Sequence, residues 1–201
     1  MGEGDLVSNP VRDGRHVRAR PILPADYGWV YEVAVLTDTG SHWRLHGQTP
    51  PYEAFASTVL FENAAATYLL ERRSTGERMG LVQLVNHHAG ARNGFLTAFL
   101  VPEYRALGWP MEGIVLFADF VFSAYNLEKL YLESLSDEAA RYRSLVGRFL
   151  VEEGRLRSHR LVHGRWMDAH LFALYRPAMA ELSAAFLPDA ARCVTRAGDD
   201  G

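Results

Sequence analysis

The chemistry-bearing stretch of this 201-residue chain runs from Phe95 to Pro110. Phe95-Leu96-Thr97-Ala98-Phe99-Leu100-Val101 reads as an apolar strand. Arg105-Ala106-Leu107-Gly108-Trp109-Pro110 reads as a turn that ends on proline at the first position of a long apolar helix. Such a turn aims several unpaired backbone N–H groups at one point, and the helix dipole makes that point positive. Phosphates settle there, and nucleotides and phosphopantetheine are their usual carriers. The fixed φ of Pro110 suits the helix start, but proline has no N–H, so one phosphate donor is missing.

Other side chains here titrate or donate. Glu133 ends the apolar run Lys129-Leu130-Tyr131-Leu132-Glu133, where a carboxylate is either paired with a neighbouring Arg or functional. Ser136 and Asp137 stand where a helix N-cap belongs. Tyr142 follows, either as an acid or as a core aromatic. The loop from Ser41 to Gly47 offers Trp43 and Arg44 to an aromatic or acidic acceptor, or equally to packing and solvent. The eight His form no metal-binding pattern. His87 and His88 face opposite sides of a strand, and His42 and His46 lie four apart in a loop among glycines and prolines. No metal is expected. His87 is then a strand-end surface residue or an acceptor for a proton, a task that suits neutral imidazole. Cys193 is the only cysteine, which excludes an internal disulfide.

The elements that must position these residues follow from hydrophobic spacing. Residues 1–15 read as a loose, Gly-rich charged tail, residues 16–188 as one domain, and residues 189–201 as a second tail. A strand from Val17 to Leu23 precedes a helix from Pro24 to about Leu36. A loop from Gly40 to Pro51 leads to a helix from Tyr52 to Glu62. Strands Thr67 to Arg73, Met79 to His87 and Asn93 to Val101 come next, then the helix from Met111 to Tyr125. Strand Lys129 to Leu135 and a helix from Asp137 to Val146 follow. A hairpin then closes through His163-Gly164, with His159 opposite Asp168 and Arg157 opposite His170, before a helix from Pro177 to Phe186. This order predicts a single α/β (α+β) domain. Net charge is −3, which gives no sign of nucleic-acid or membrane-surface binding. The longest apolar run contains Asp119 and is too short to span a bilayer. No signal peptide is visible, so a cytoplasmic protein is expected.

The element order together with the Arg-x-x-Gly turn resembles the GNAT N-acetyltransferase superfamily. The segment Glu153-Gly154-Arg155-Leu156-Arg157-Ser158-His159, with Gly164-Arg165-Trp166-Met167-Asp168 and the terminal Leu174-Tyr175-Arg176, is similar to its ribosomal-protein-alanine-acetylase-like branch. The resemblance covers Val17 to Leu187. It implies a mixed, mostly antiparallel seven-stranded sheet, splayed between its fourth and fifth strands and flanked by helices. Phe99, Leu100 and Val101 would hold pantetheine, and Arg105, Ala106, Leu107, Gly108, Trp109 and Pro110 would hold phosphate. The implied reaction moves an acyl group from acetyl-CoA, or another acyl-CoA, to a primary amine by direct attack. Glu133, Tyr142 and His87 are the candidates for moving protons, and Trp43 and Arg44 border the acceptor. The strand before the turn has none of the carboxylates that many relatives carry there. A carrier-protein phosphopantetheine, as in natural-product pathways, is a second possible donor. A catalytically silent acyl-CoA-binding module is a third reading. Expected partners are a small-molecule or peptide amine and a second copy of the chain, with no nucleic acid and no membrane.

Overall fold

The computed structural model describes residues 10–105 and 107–187. Eight strands form one sheet in the order β1-β2-β3-β4-β5-β6-β8-β7. They are β1 (Arg12–Asp13), β2 (Val17–Pro21), β3 (Ala64–Arg72), β4 (Arg78–His88), β5 (Asn93–Leu100), β6 (Lys129–Leu135), β7 (Leu150–Val162) and β8 (Arg165–Tyr175). All pairs are antiparallel except β5 with β6. The helices are α1 (Tyr27–Val35), α2 (Thr39–His42), α3 (Tyr52–Ser57), α4 (Pro102–Arg105), α5 (Met111–Ala124) and α6 (Arg176–Phe186).

Side-chain alternation along the central strands assigns the two faces. Leu70, Val82, Leu96 and Leu130 pack with Val115, Phe117, Val121 and Phe122 of α5 and with Met179 and Leu182 of α6. Leu69, Leu81 and Phe99 pack on the other face with Val30 and Ala34 of α1, Phe55 of α3, and Trp43 and Leu45. β4 is buried on both faces from Met79 to Val85, as befits the middle of a two-layered core.

The sheet has one strand more than expected. Residues 11–15, which the sequence assigns to a loose tail, include β1, whose Arg12 and Asp13 pair with Ala19 and Arg18. Glu112 in the first turn of α5 explains why they are held. Its buried carboxylate accepts the backbone N–H groups of Arg15, His16 (2.8 Å) and Val17 (3.1 Å). A Cβ on Gly14 would lie 2.4 Å from the Glu112 Cδ, so glycine is what admits the carboxylate. Residues 1–9 and the expected C-terminal tail 189–201 lie outside the described residues.

Three expected elements differ. The helix from Tyr52 to Glu62 breaks at Thr58, leaving α3 and a 3-10 turn Val59–Phe61. The expected loop from Gly40 contains α2, which begins at Thr39. The helix from Asp137 to Val146 is only a 3-10 turn, Ala139–Tyr142. The β7–β8 hairpin does close through His163 and Gly164, both at positive φ. Its register differs from the expected one, because Arg155 faces His170 and a bulge follows Leu156. At the bulge Ser158 has φ +44°, and the Asp168 carboxylate accepts its N–H (2.8 Å) and the Arg155 Nε–H (2.8 Å). Asp168 therefore serves the bulge rather than His159.

Candidate functional site

β5 and β6 pair at Asn93, Gly94 and Phe95 with Lys129, Leu130 and Tyr131, and the pairing stops there. Beyond it each strand keeps only its other neighbour. Leu96 to Leu100 stay on β4, while Leu132 to Leu135 stay on β8. The gap opens into a cleft of about 730 Å³ lined by Thr39, Trp43, Phe99, Leu100, Arg105 and Gly108. An inner cavity of about 100 Å³ reaches Thr97, Leu132, Glu133 and Ser134. His42, Ala98, Met111, Ile114, Glu138 and Tyr142 line both.

The turn before α5 lies at the cleft mouth, but its donors are partly engaged. Met111, Glu112 and Gly113 donate their N–H groups to the carbonyls of Gly108, Trp109 and Pro110. Pro110 is the N-cap at φ −64°, one residue before the position expected for it. Gly108 has a different reason for being glycine than the turn itself. A Cβ there meets nothing within 4 Å, and its φ is not in the left-handed region. The space beside it faces the cleft. Arg105 points back into the protein, donating to the Leu100 carbonyl (2.7 Å) and to the Thr39 hydroxyl (2.9 Å). Leu107 is exposed at the rim, and Trp109 packs between Tyr104 and His16. The N–H of Val101 bonds Met79 on β4. Ala106 lies outside the described residues.

The titratable candidates separate by face. Glu133 is on the α1 side of the sheet, ion-paired with Arg160 of β7. Tyr142 lies on the α5 side, its ring 5.6 Å from Phe172. His87 is not in the cleft. Its ring contacts Tyr125, at the opposite end of α5 from the turn. Trp43 is buried against Phe99 (5.1 Å), and its indole Nε1 has no hydrogen-bond partner. Arg44 turns away, bonding the Leu60 and Glu62 carbonyls and the amide of Gln83, which is fully buried. Burial lowers the pKa of Arg44, and those three acceptors make it a brace rather than a reader of ligands. Burial and then the Arg160 charge lower the pKa of His46, with Glu133 opposing. Among the described residues no group of three His, Cys, Asp or Glu side chains is placed to share a metal ion.

His42 and His163 meet partners that lie far from them in the sequence. His42 Nε2 lies 3.3 Å from the Asp137 carboxylate, and its ring contacts that of His163 (6.3 Å). His163 in turn meets Asp38 at 2.8 Å. The hairpin tip is thereby tied to the ends of α1 and α2. These contacts join residues about a hundred positions apart, which spacing in the sequence cannot express.

Spermidine N(1)-acetyltransferase of Escherichia coli K12 is 26% identical over 166 residues, covering 80% of this chain and 86% of that protein. The chain has a GNAT-type fold. Among solved structures, spermidine N-acetyltransferase from Vibrio cholerae in complex with CoA and spermine aligns with a TM-score of 0.70. It is 20% identical, with 82% of this chain and 98% of that chain covered. The Vibrio cholerae spermidine/spermine N-acetyltransferase in complex with manganese ions gives 0.67 at 20% identity, over 84% and 97%. No protein-family model matches the chain. All three of these proteins are polyamine acetylases by name. The resemblance to the ribosomal-protein-alanine-acetylase-like branch finds no support in them.

Proposed function

We propose that this GNAT protein transfers an acetyl group from acetyl-CoA to a primary amine of a cationic, polyamine-like acceptor by direct attack. The single observation that carries the reading is the divergence of β5 from β6 over the cleft that ends at the α5 turn. The pantetheine arm lies along Ala98, Phe99 and Leu100, whose gap-side edge has no strand beside it. The backbone N–H groups of Gly108 and Trp109 meet phosphate, with the open side of Gly108 letting it approach. Tyr142 gives its phenol proton to the leaving thiolate. Glu133, held by Arg160, and Trp43, with its unmet N–H, shape the acceptor wall.

The named substrates of the relatives support a polyamine-like acceptor, and so does charge. Glu138 lines the cleft, with Asp137 behind His42 and Asp38 behind His163, and this excess of carboxylates favours a cation. A cytoplasmic location belongs to this proposal because of its donor. A homodimer would use the outer edge of β7, where Val151, Leu156 and Leu161 are exposed.

The test is mass spectrometry of spermidine, spermine and other primary amines after incubation with acetyl-CoA or with an acetylated carrier protein. Acetylated polyamine from acetyl-CoA supports the reading. Product from the carrier alone reassigns the donor. Tight CoA binding without product from any amine makes the protein a silent binding module.

A further inference from the structure

An amine acceptor arrives at neutral pH as an ammonium ion and must lose a proton before it can attack. β5, Asn-Gly-Phe-Leu-Thr-Ala-Phe-Leu, has no titratable side chain to take it. Glu133 is committed to Arg160, and His87 is at the far end of α5. Of the side chains that line both the cleft and the inner cavity, His42, Glu138 and Tyr142 titrate. Tyr142 is on the donor face. A carboxylate ordinarily titrates near pH 4 and is a poor match for an ammonium proton, whereas histidine changes charge near neutral pH.

We propose that His42, oriented by Asp137, is the general base for the acceptor amine, a role that rests on the acyltransferase reading above. His42 Nε2 faces the Asp137 carboxylate at 3.3 Å, so the Nε2–H donates there and Nδ1 keeps the lone pair. The charged and titratable groups around the ring are Asp137, His163 with Asp38 behind it, and Glu138 and Tyr142 on the shared wall. Arg105 is tied to Thr39 of the same short helix. Gly40 fixes that helix, since a Cβ there would fall 1.9 Å from the Ala34 carbonyl oxygen.

The step balances without a co-reactant. Nδ1 of His42 takes one proton from the ammonium, and the freed amine forms the C–N bond at the thioester carbonyl. The C–S bond breaks, and the thiolate takes the Tyr142 phenol proton. The second proton of the attacking nitrogen restores the phenol. His42 releases its proton to solvent, so each turnover yields amide, free thiol and a proton. Asp137 is a positioning residue and touches no reacting atom.

The experiment compares wild type, His42→Gln, Asp137→Asn and Glu138→Gln in kcat/KM against pH, with acetyl-CoA and spermidine, alongside calorimetric acetyl-CoA affinity. Wild-type kcat/KM should rise and level off near neutral pH. His42→Gln should lose about 10²-fold at pH 7 and keep climbing as the free amine accumulates toward pH 10, with acetyl-CoA affinity unchanged. Asp137→Asn should lose less, because the ring keeps its basic nitrogen and loses only the partner that orients it. The proposal is overturned if His42→Gln keeps the wild-type plateau, if its loss is matched by lost acetyl-CoA binding, or if Glu138→Gln alone abolishes the plateau. Wild type that binds acetyl-CoA but acetylates no amine overturns the acyltransferase reading instead, and the base assignment with it.

Discussion

At the scale of single residues, the proposed reaction assigns binding to Gly108 and chemistry to Tyr142. The structure gives Gly108 no steric reason to be glycine, because a side chain there meets open space. In the proposed site the reason is the phosphate that approaches it. Gly108→Val should therefore leave the melting temperature near that of wild type while acetyl-CoA affinity falls at least about tenfold, about 1.4 kcal/mol. Calorimetry beside thermal melting separates the two, and a variant that melts early with unchanged affinity would assign Gly108 to the fold. Tyr142→Phe keeps the ring contact with Phe172 and removes only the hydroxyl. It should lower kcat by about 10²-fold with little change in KM for either substrate. An equal drop in a variant that has lost acetyl-CoA binding would instead make Tyr142 a packing residue. At this scale the sequence was informative where chemistry follows from residue type. Glu133 at the end of an apolar strand implies half of an Arg pair or a functional group, and Arg160 is its partner. It was uninformative for His42, whose partner Asp137 lies 95 positions away.

Elements hold these residues through buried contacts that a sequence pattern shows poorly. α2 has only four residues, and it carries His42 and Thr39. Gly40→Ala must push α2 off the end of α1. We expect a loss of activity larger than the loss of stability, read as kcat/KM against melting temperature. A second buried device ties the start of α1 to the sheet. Asp26 is almost fully buried, pairs with Arg20 (2.7 Å) and Arg78 (3.1 Å), and accepts the Leu23 N–H. Burial alone would raise its pKa, but Arg20, the Leu23 N–H and Arg78 outweigh it and hold the carboxyl below its usual range. A depressed carboxylate stabilises the fold above its unfolded pKa, near 4, and that contribution disappears as pH falls through the folded value. Asp26→Asn should cost about 3 kcal/mol at neutral pH, and its deficit should shrink in denaturant melts at pH 3. A deficit that is constant with pH would contradict the assignment. Strongly periodic elements were legible in the sequence: β6 has the expected limits and α5 nearly so. The shortened helix after Asp137 and the bulge at Ser158 were not, because tertiary contacts decide both. The bulge is set by Asp168, whose carboxylate is held below its usual range by the Ser158 N–H and then Arg155.

For the whole molecule, the proposed reaction has the sheet dividing the two substrates. α5 and α6 cover the face that carries Tyr142, while α1, α2 and α3 cover the face that carries Phe99, Trp43 and Glu133. The gap between β5 and β6 is where the faces communicate. The order of strands and helices was legible because each buries an apolar stripe of its own period. The gap itself was known only by resemblance, since no spacing of residues reports where two strands part. The acceptor was not legible, because the proposed acceptor wall is built from loops and one hairpin tip. The central claim is that this gap is a site of acyl transfer, and the most direct measurement is amine-dependent release of free thiol from acetyl-CoA. The account predicts release that saturates in both acetyl-CoA and spermidine, falls in Tyr142→Phe and Gly108→Val, and needs no added metal. Thiol release that is the same with and without amine, or equally fast in both variants, would contradict it.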